Sequence, residues 1–326
     1  MSEPPSTSDV TLVVGFGPGA SYDQIGRILA RHLGRHLRGN PTVAVNNLAG
    51  DASLAAARTL CNEAPADGSV IGLLARTVPT EPLRSGRDLG FDVRKLRWIG
   101  SPAREVSLGF AWHAAPFKTI ADARRAEMIT TATSPSAGSA TFTYILNHIA
   151  RTKFTVIAGY PDAKAMMAAV EAGDAHGIIG PSLINLNSTR PDWLRGGMIN
   201  VLVQFAAKPE PSLGSAPLVM DLAEGADERA IVELIFAPQD FAYPLVAPPG
   251  TPAATVAQLS AALLATARDA AFVQEARAAQ FAVDPLSGEA IETLLARLYG
   301  TAPQVVTRAK AAIAEGARKA RSFAPQ

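Results

Sequence analysis

Over the first hundred residues, short apolar runs alternate with stretches whose apolar positions recur every three or four residues. The runs at 11–15, 43–46 and 70–74 have strand length and are bounded by turn residues. Between the first two, residues 22–37 place Ile25, Ile28, Leu29 and Leu33 on one stripe, with Arg27, Arg31 and Arg35 off it. This is the pattern of a helix laid on a sheet, and the series predicts βαβαβ connectivity.

The pattern breaks around 98–113, where Ile99-Gly100-Ser101-Pro102 precedes a new apolar run at 106–112. A second series then begins, with a strand near 128–132 and a helix carrying Phe142, Ile145, Leu146 and Ile149. It continues with a strand near 154–157, a helix at 163–172 and a strand at 175–179. Pro, Ser and Gly crowd 208–217, and a strand with a Pro/Gly turn follows at 243–252. Three more helical patterns occupy 252–267, 271–279 and 287–298, with Thr251-Pro252 as N-cap and first position of the first of them. The expectation is an α/β chain of two lobes, residues 1–104 with 239–326 and residues 105–238. Two crossings then make a hinge able to close on a ligand.

A chain of 326 residues with 48% hydrophobic and 18% charged residues has the means to build two such cores. Thirty basic and twenty-nine acidic residues leave a net charge of +1, so no global field gathers nucleic acid or an anionic membrane. Electrostatics must act locally. Cys61 is the single cysteine, which rules out an internal disulfide and a multi-cysteine metal site, and its surroundings suggest a small buried apolar residue. No run of about eighteen apolar residues occurs, so no transmembrane helix is expected. The first ten residues, MSEPPSTSDV, have neither a basic nor an apolar region of a signal peptide, so export would require a leader outside this sequence.

The richest chemistry lies in 13–23, where a strand passes through Gly15-Phe16-Gly17-Pro18-Gly19-Ala20 into a helix beginning near Ser21. A Gly-rich turn at a helix N-terminus exposes N–H groups at the positive end of the dipole and favours an anion. The same residues satisfy the loose dinucleotide pattern G-x-G-x-x-G/A, which keeps a nicotinamide or flavin oxidoreductase as the alternative. Against it, the second strand ends in Asn46-Asn47, where that pattern places an acidic residue, and Pro18 interrupts the loop. In the second series, TTATSPSAGS at 130–139 again joins a strand to a helix, with Ser136, Ser139 and Thr141 as donors. No hydrolase elbow, S-x-x-K or phosphate-loop motif is present, so no catalytic residue is assigned. His32 and His36 have metal-ligand spacing, but Leu33 stands where a metalloprotease has Glu, and the pair is expected to be solvated.

Taken in order, these loops resemble the solute receptors of the tripartite tricarboxylate transporter family. Phe16-Gly17-Pro18-Gly19-Ala20-Ser21-Tyr22-Asp23 matches F-x-x-G-G-x-x-D except at Ala20. Asn46 or Asn47 followed by Gly50-Asp51-Ala52 stands for an Asn and a G-A-G turn, with a departure at Asp51-Ala52. Ala64-Pro65-Ala66-Asp67-Gly68 and Ala247-Pro248-Pro249-Gly250-Thr251-Pro252 are intact family motifs. Ser136-Ala137-Gly138-Ser139 and Gly159-Tyr160-Pro161-Asp162 approximate two more.

The resemblance implies a periplasmic, two-lobe binding protein of type II fold, monomeric and without cofactor, metal or nucleic-acid partner. Such a protein binds a small carboxylate and delivers it to membrane transporter subunits. The implied ligand-binding residues are Phe16, Gly17, Pro18, Gly19, Ala20, Ser21 and Asp23 in the first loop. Ser134, Ser136, Ala137, Gly138, Ser139, Tyr160 and Pro181 are their counterparts in the second lobe. Asp51 and Arg76, the latter just after the third strand, are added as the charges that would set preference among acids. A ligand-sensing module without transport is a further reading.

Overall fold

Leu12 and Val14 are wholly buried in a strand of the sequence VTLVV, as expected of an inner parallel strand covered on both faces. In the computed structural model, which describes residues 9–85 and 88–323, this strand opens the chain; the first eight residues, part of the stretch searched for a leader, lie outside that description. The chain runs β1 (Val10–Val14), α1 (Ser21–Leu33), β2 (Val43–Asn47), α2 (Leu54–Asn62), β3 (Val70–Leu73), α3 (Glu81–Ser85) and β4 (Arg97–Ser101) in a first unit. The second unit holds β5 (Ser107–Trp112), α4 (Ile120–Arg125), β6 (Met128–Ala132), α5 (Gly138–Ile149), β7 (Phe154–Ala158), α6 (Ala163–Ala172) and β8 (Gly177–Ser182). It continues with α7 (Leu183–Thr189), α8 (Asp192–Arg195), β9 (Ile199–Phe205) and α9 (Gly225–Phe236). The first unit resumes with β10 (Leu245–Ala247), α10 (Ala253–Thr266), α11 (Ala270–Ala278), β11 (Leu286–Ser287) and α12 (Gly288–Tyr299). Finally α13 (Pro303–Lys319) and β12 (Arg321–Ser322) return to the second unit.

Each unit is built on a six-stranded mixed sheet, ordered β11-β4-β10-β3-β1-β2 in the first and β12-β7-β6-β8-β5-β9 in the second. In the first, β1 pairs in parallel with β2 on one side and β3 on the other. In the second, β6 stands in parallel between β7 and β8. Both β1 and β6 are therefore strands from which the chain turns first one way and then the other. The crevice beyond the carboxyl end of such a strand is where open α/β sheets take ligands. The predicted stripe of α1 is buried: Ile25, Ile28, Leu29 and Leu33 join Phe272 and Phe281 in the core of the first unit. Burial of each contributes roughly 1.5–3 kcal/mol, enough to fix the helix and the loop that enters it.

The C-terminal segment departs from expectation. Residues 301–323 cluster with the second unit rather than the first, and the chain passes between units three times, at 104/105, 239/240 and 300/301, not twice. The cause is packing that periodicity does not announce. On α13, Gly316 lies against the Tyr144 ring of α5, where a Cβ would come within 2.2 Å of ring carbon. Arg308 pairs with Asp227 at 2.7 Å, and Arg321 and Ser322 extend the edge of β7.

Two imidazoles of the second unit give it a pH dependence. Burial is the main force holding His148 and His176 below the ordinary value of 6.5, assisted at His148 by Arg308 and Arg151. His176 uses Nδ1 to accept the Ile129 N–H at 2.9 Å, a bond its protonation would break. The folded state thus binds these protons less readily than the unfolded state. Their stabilisation is complete above about pH 6.5 and is lost as pH falls through the depressed values. Thermal unfolding between pH 7.5 and 5 should show a falling midpoint, and His176→Gln should flatten part of the fall; equal slopes in both proteins would refute this.

Candidate functional site

The first loop leaves β1 at Gly15, whose N–H donates to Leu73 O at 3.1 Å, and turns at 17–20 with Ala20 N donating to Gly17 O at 3.3 Å. Ala20 is the N-cap of α1 in extended geometry (φ −67°, ψ 159°), with no side-chain cap hydrogen bond. Alanine at this place forgoes about 1 kcal/mol of capping and leaves the first-turn N–H groups to be met by something else. The loop is held from below. Asp23 is 3% exposed and accepts from Gly19 N at 2.8 Å, Arg27 Nε at 3.0 Å and Asn47 Nδ2 at 2.8 Å. The Arg27 hydrogen bond, with those from Gly19 and Asn47, outweighs burial and brings its carboxyl down to about 2. Asn47 also donates to Phe16 O at 2.9 Å, which selects it over Asn46 as the loop's partner. Asp23, named above among the implied ligand-binding residues, accepts from Gly19, Arg27 and Asn47 and so anchors the loop.

A second element braces the same loop. Gly50, Asp51, Ala52 and Ser53 all have positive φ (149°, 45°, 50° and 79°), an uncommon run for three L-residues. The turn drives Ser53, fully buried, beneath the loop, where its Oγ accepts the Ala75 N–H at 3.1 Å. Gly15 accommodates it, since a Cβ there would lie 1.7 Å from Ser53 Oγ. Asp51 and Ala52 remain exposed on the turn's outer side. Phe16 stacks on Tyr22 with centroids 4.3 Å apart, and Tyr22 meets Tyr243 at 4.8 Å. Tyr22 Oη donates to Ala242 O at 2.8 Å and accepts the Arg76 N–H at 3.2 Å. Arg76, half-buried, is thereby gathered to the carboxyl end of β3 beside α1.

In the second unit the loop after β6 repeats this construction. Ala137 is the extended N-cap of α5 (φ −62°, ψ 156°), again with no side-chain cap hydrogen bond. Its N–H donates to Ser134 O at 3.2 Å, and Ser134 and Ser136 hydroxyls lie 3.3 Å apart. Gly138 is exposed and Ser139 half-buried at the helix start. Within β8, Gly180 (φ 90°) lies against α5, where a Cβ would come within 2.9 Å of the Phe142 ring, and Pro181, half-buried, is the next residue. Tyr160 N–H donates to Ala132 O at 3.3 Å, and its ring is 4% exposed and stacks on Phe323 at 4.1 Å in the core of the second unit.

The expected solvated histidines are also revised. His32 is 6% exposed, with Nε2 2.6 Å from Glu275 and Nδ1 2.6 Å from Arg35, while His36 Nε2 is 3.0 Å from Asp269. His32 joins α1 to α11, and His36 ties the turn after α1 to the N-cap of α11; among the described residues no cluster of three or more His, Cys, Asp or Glu could hold a metal. Cys61 is half-buried, and burial is the chief reason its thiol is pushed up to about 11. No single described helix is long and apolar enough to cross a membrane. The residues that sequence reasoning missed are Ser53, Tyr22 and Tyr243. Only Tyr22 carried a signal, an aromatic in the first turn of a helix that opens on a glycine-rich loop.

With two such units, the chain has the fold of periplasmic solute-binding proteins. A TctC solute-binding protein from Polaromonas is similar over 94% of this chain and 98% of its own, at 17% identity and a TM-score of 0.73. A protein of R. palustris solved with adipate is similar over 97% and 98%, at 20% identity and a TM-score of 0.61. MatC from Rhodopseudomonas palustris, solved with malate, is similar over 94% and 98%, at 16% and 0.57. No family model and no curated protein sequence matches the chain.

Proposed function

We propose that this chain is an extracytoplasmic solute-binding receptor that takes up a small organic carboxylate on main-chain donors of the kind that open α1 and α5, and hands it to a membrane transporter. Binding without turnover is its activity, and the periplasm its place of work. The observation that carries this reading is the repetition of one arrangement: α1 and α5 each begin at a topological switch point, on an alanine N-cap with no side-chain cap. Main-chain donors at the positive ends of two helices suit a carboxylate, which accepts several N–H bonds at once. The malate and adipate in the two structural relatives belong to the same chemical class.

A dinucleotide enzyme is not supported. Where the ribose would require an acid at the end of β2, Asn47 is present and is spent on Phe16 O and Asp23.

The test is a thermal-shift screen of mono- and dicarboxylates, followed by titration calorimetry. A ligand specific to the native state raises the melting temperature by mass action. Arg76→Ala should weaken the best dicarboxylate by roughly ten- to a hundred-fold, because a charge-assisted contact is worth about 1.5–3 kcal/mol. A matched monocarboxylate should suffer less, and Asp51→Ala should favour the dianion. A shift with nicotinamide or flavin nucleotides and none with acids would overturn the receptor reading.

A further inference from the structure

Three consecutive backbone donors follow β3, and each is claimed by a different part of the first unit. Leu74 N–H goes to Pro244 O at 3.1 Å, Ala75 N–H to Ser53 Oγ at 3.1 Å, and Arg76 N–H to Tyr22 Oη at 3.2 Å. The third acceptor is the only one carried by α1, the helix whose N-terminus forms the first loop. Tyr22 itself is held on two sides, by stacking on Phe16 and by contact with Tyr243. Its single hydroxyl proton is committed to Ala242 O at 2.8 Å, which leaves the oxygen lone pairs to receive the Arg76 N–H. The acceptor and both its partners therefore have a defined orientation. One phenol ties together segments 54 and 220 positions away along the chain.

We infer that Tyr22 is a positioning residue that registers Arg76 against the carboxylate-binding loop and so gives the site its preference for a second acidic group; this rests on the receptor reading above. A carboxylate held by main-chain N–H groups is recognised the same way whatever the rest of the acid carries. A second, fixed cation is the strongest way to discriminate a dianion from a monoanion. A guanidinium delivers its strength only when its donors are placed for the acceptor, so its anchoring decides how much selectivity it provides. The Tyr22 hydrogen bond supplies such an anchor, on the residue's own backbone and from the helix that holds the first carboxylate.

The experiment uses succinate, glutarate and adipate, each beside its monoamide, titrated against wild type, Tyr22→Phe, Arg76→Ala and the double variant. Wild type should prefer at least one dianion over its monoamide by about ten-fold or more. Tyr22→Phe keeps the ring and loses the anchor. It should lower that preference by roughly three- to ten-fold, weakening the monoamide less than the dianion. Arg76→Ala should abolish the preference in wild type and have a smaller effect on it in Tyr22→Phe, the non-additivity expected of residues acting as a unit. Amide hydrogen exchange at Arg76 should quicken in Tyr22→Phe while Leu74 and Ala75 stay protected. Equal weakening of both ligand types, a lowered melting temperature with unchanged preference, additive effects, or unchanged exchange at Arg76 would each overturn the inference. Wild-type binding of acids with no dianion preference would overturn it and leave the receptor reading standing. No binding of any acid would overturn both.

Discussion

Asp23→Ala is expected to abolish carboxylate binding and to lower the melting temperature of the first unit by roughly 5–10 °C, at about 2–4 °C per kcal/mol for a unit of this size. The carboxylate is 3% exposed and its pKa falls from 3.8 to about 2, chiefly through Arg27 and then through Gly19 and Asn47. At about 1.4 kcal/mol per unit that shift is worth roughly 2.5 kcal/mol. Arg27 is 47% exposed, so solvent screens part of it and about 2 kcal/mol is the better figure. Removing the acid also strands the Gly19 N–H and the Asn47 amide, which brings the total to roughly 2–3 kcal/mol. Because the folded pKa is depressed, the stabilisation is present above about pH 4 and is lost as pH falls through about 2. This acid limb lies well below the histidine window of the second unit, so the two separate in a pH series of unfolding curves. Asp23→Asn keeps one acceptor for Gly19 and should fall between wild type and alanine. An Asp23→Ala protein that binds and melts like wild type would show that the loop stands without its anchor.

The Asp23 anchor also shows where sequence reading stops. The strand, loop and helix of 10–33 were legible because apolar period and turn chemistry are local, and the loop's likeness to an anion site followed from its glycines. The role of Asp23 was not, because a carboxylate one turn into a helix reads equally well as a ligand contact. Its allegiance depends on Asn47, which the sheet brings alongside through the β1–β2 register, Val13 opposite Asn46 and Val14 opposite Asn47. The packing of Tyr160 was hidden in the same way, since it stacks on Phe323, which follows β12. The destination of α13 was hidden because an alanine-rich amphipathic helix fits either unit, and contacts distant in sequence decide it: Gly316 against Tyr144, Arg308 with Asp227, and β12 on the edge of β7. β9, α4, α7, α8 and α9 went unassigned between clearer signals, and so did α13 beyond the last of them. In α9 the apolar residues are clustered as Ala230-Ile231-Val232 and Leu234-Ile235-Phe236, which weakens its helical stripe.

The left-handed turn at 50–53 makes a demand that a pair of substitutions can expose. Gly15→Ala places a Cβ 1.7 Å from Ser53 Oγ, 2.7 Å from Ser53 Cβ and 3.2 Å from Ser53 Cα. Ser53 is wholly buried and its backbone is already in a strained region, so it cannot retreat cheaply. Overpacking of this kind costs about 1–3 kcal/mol, and here it also pushes the turn off the loop, so ligand affinity should fall with stability. Ser53→Gly alone strands the buried Ala75 N–H, at about 1–3 kcal/mol, while the φ of 79° becomes unstrained and returns about 1 kcal/mol. Combined, the two changes should be less harmful than their sum, because glycine at 53 removes the atoms that the new Cβ strikes at 1.7 and 2.7 Å. Denaturant unfolding of the two single variants and the double variant measures the coupling. A favourable coupling of about 1 kcal/mol or more would establish that Ser53 reaches beneath Gly15 to brace the loop, whereas additive losses would mean that the two positions act independently and that the strained turn serves some end other than holding the glycine-rich loop in shape.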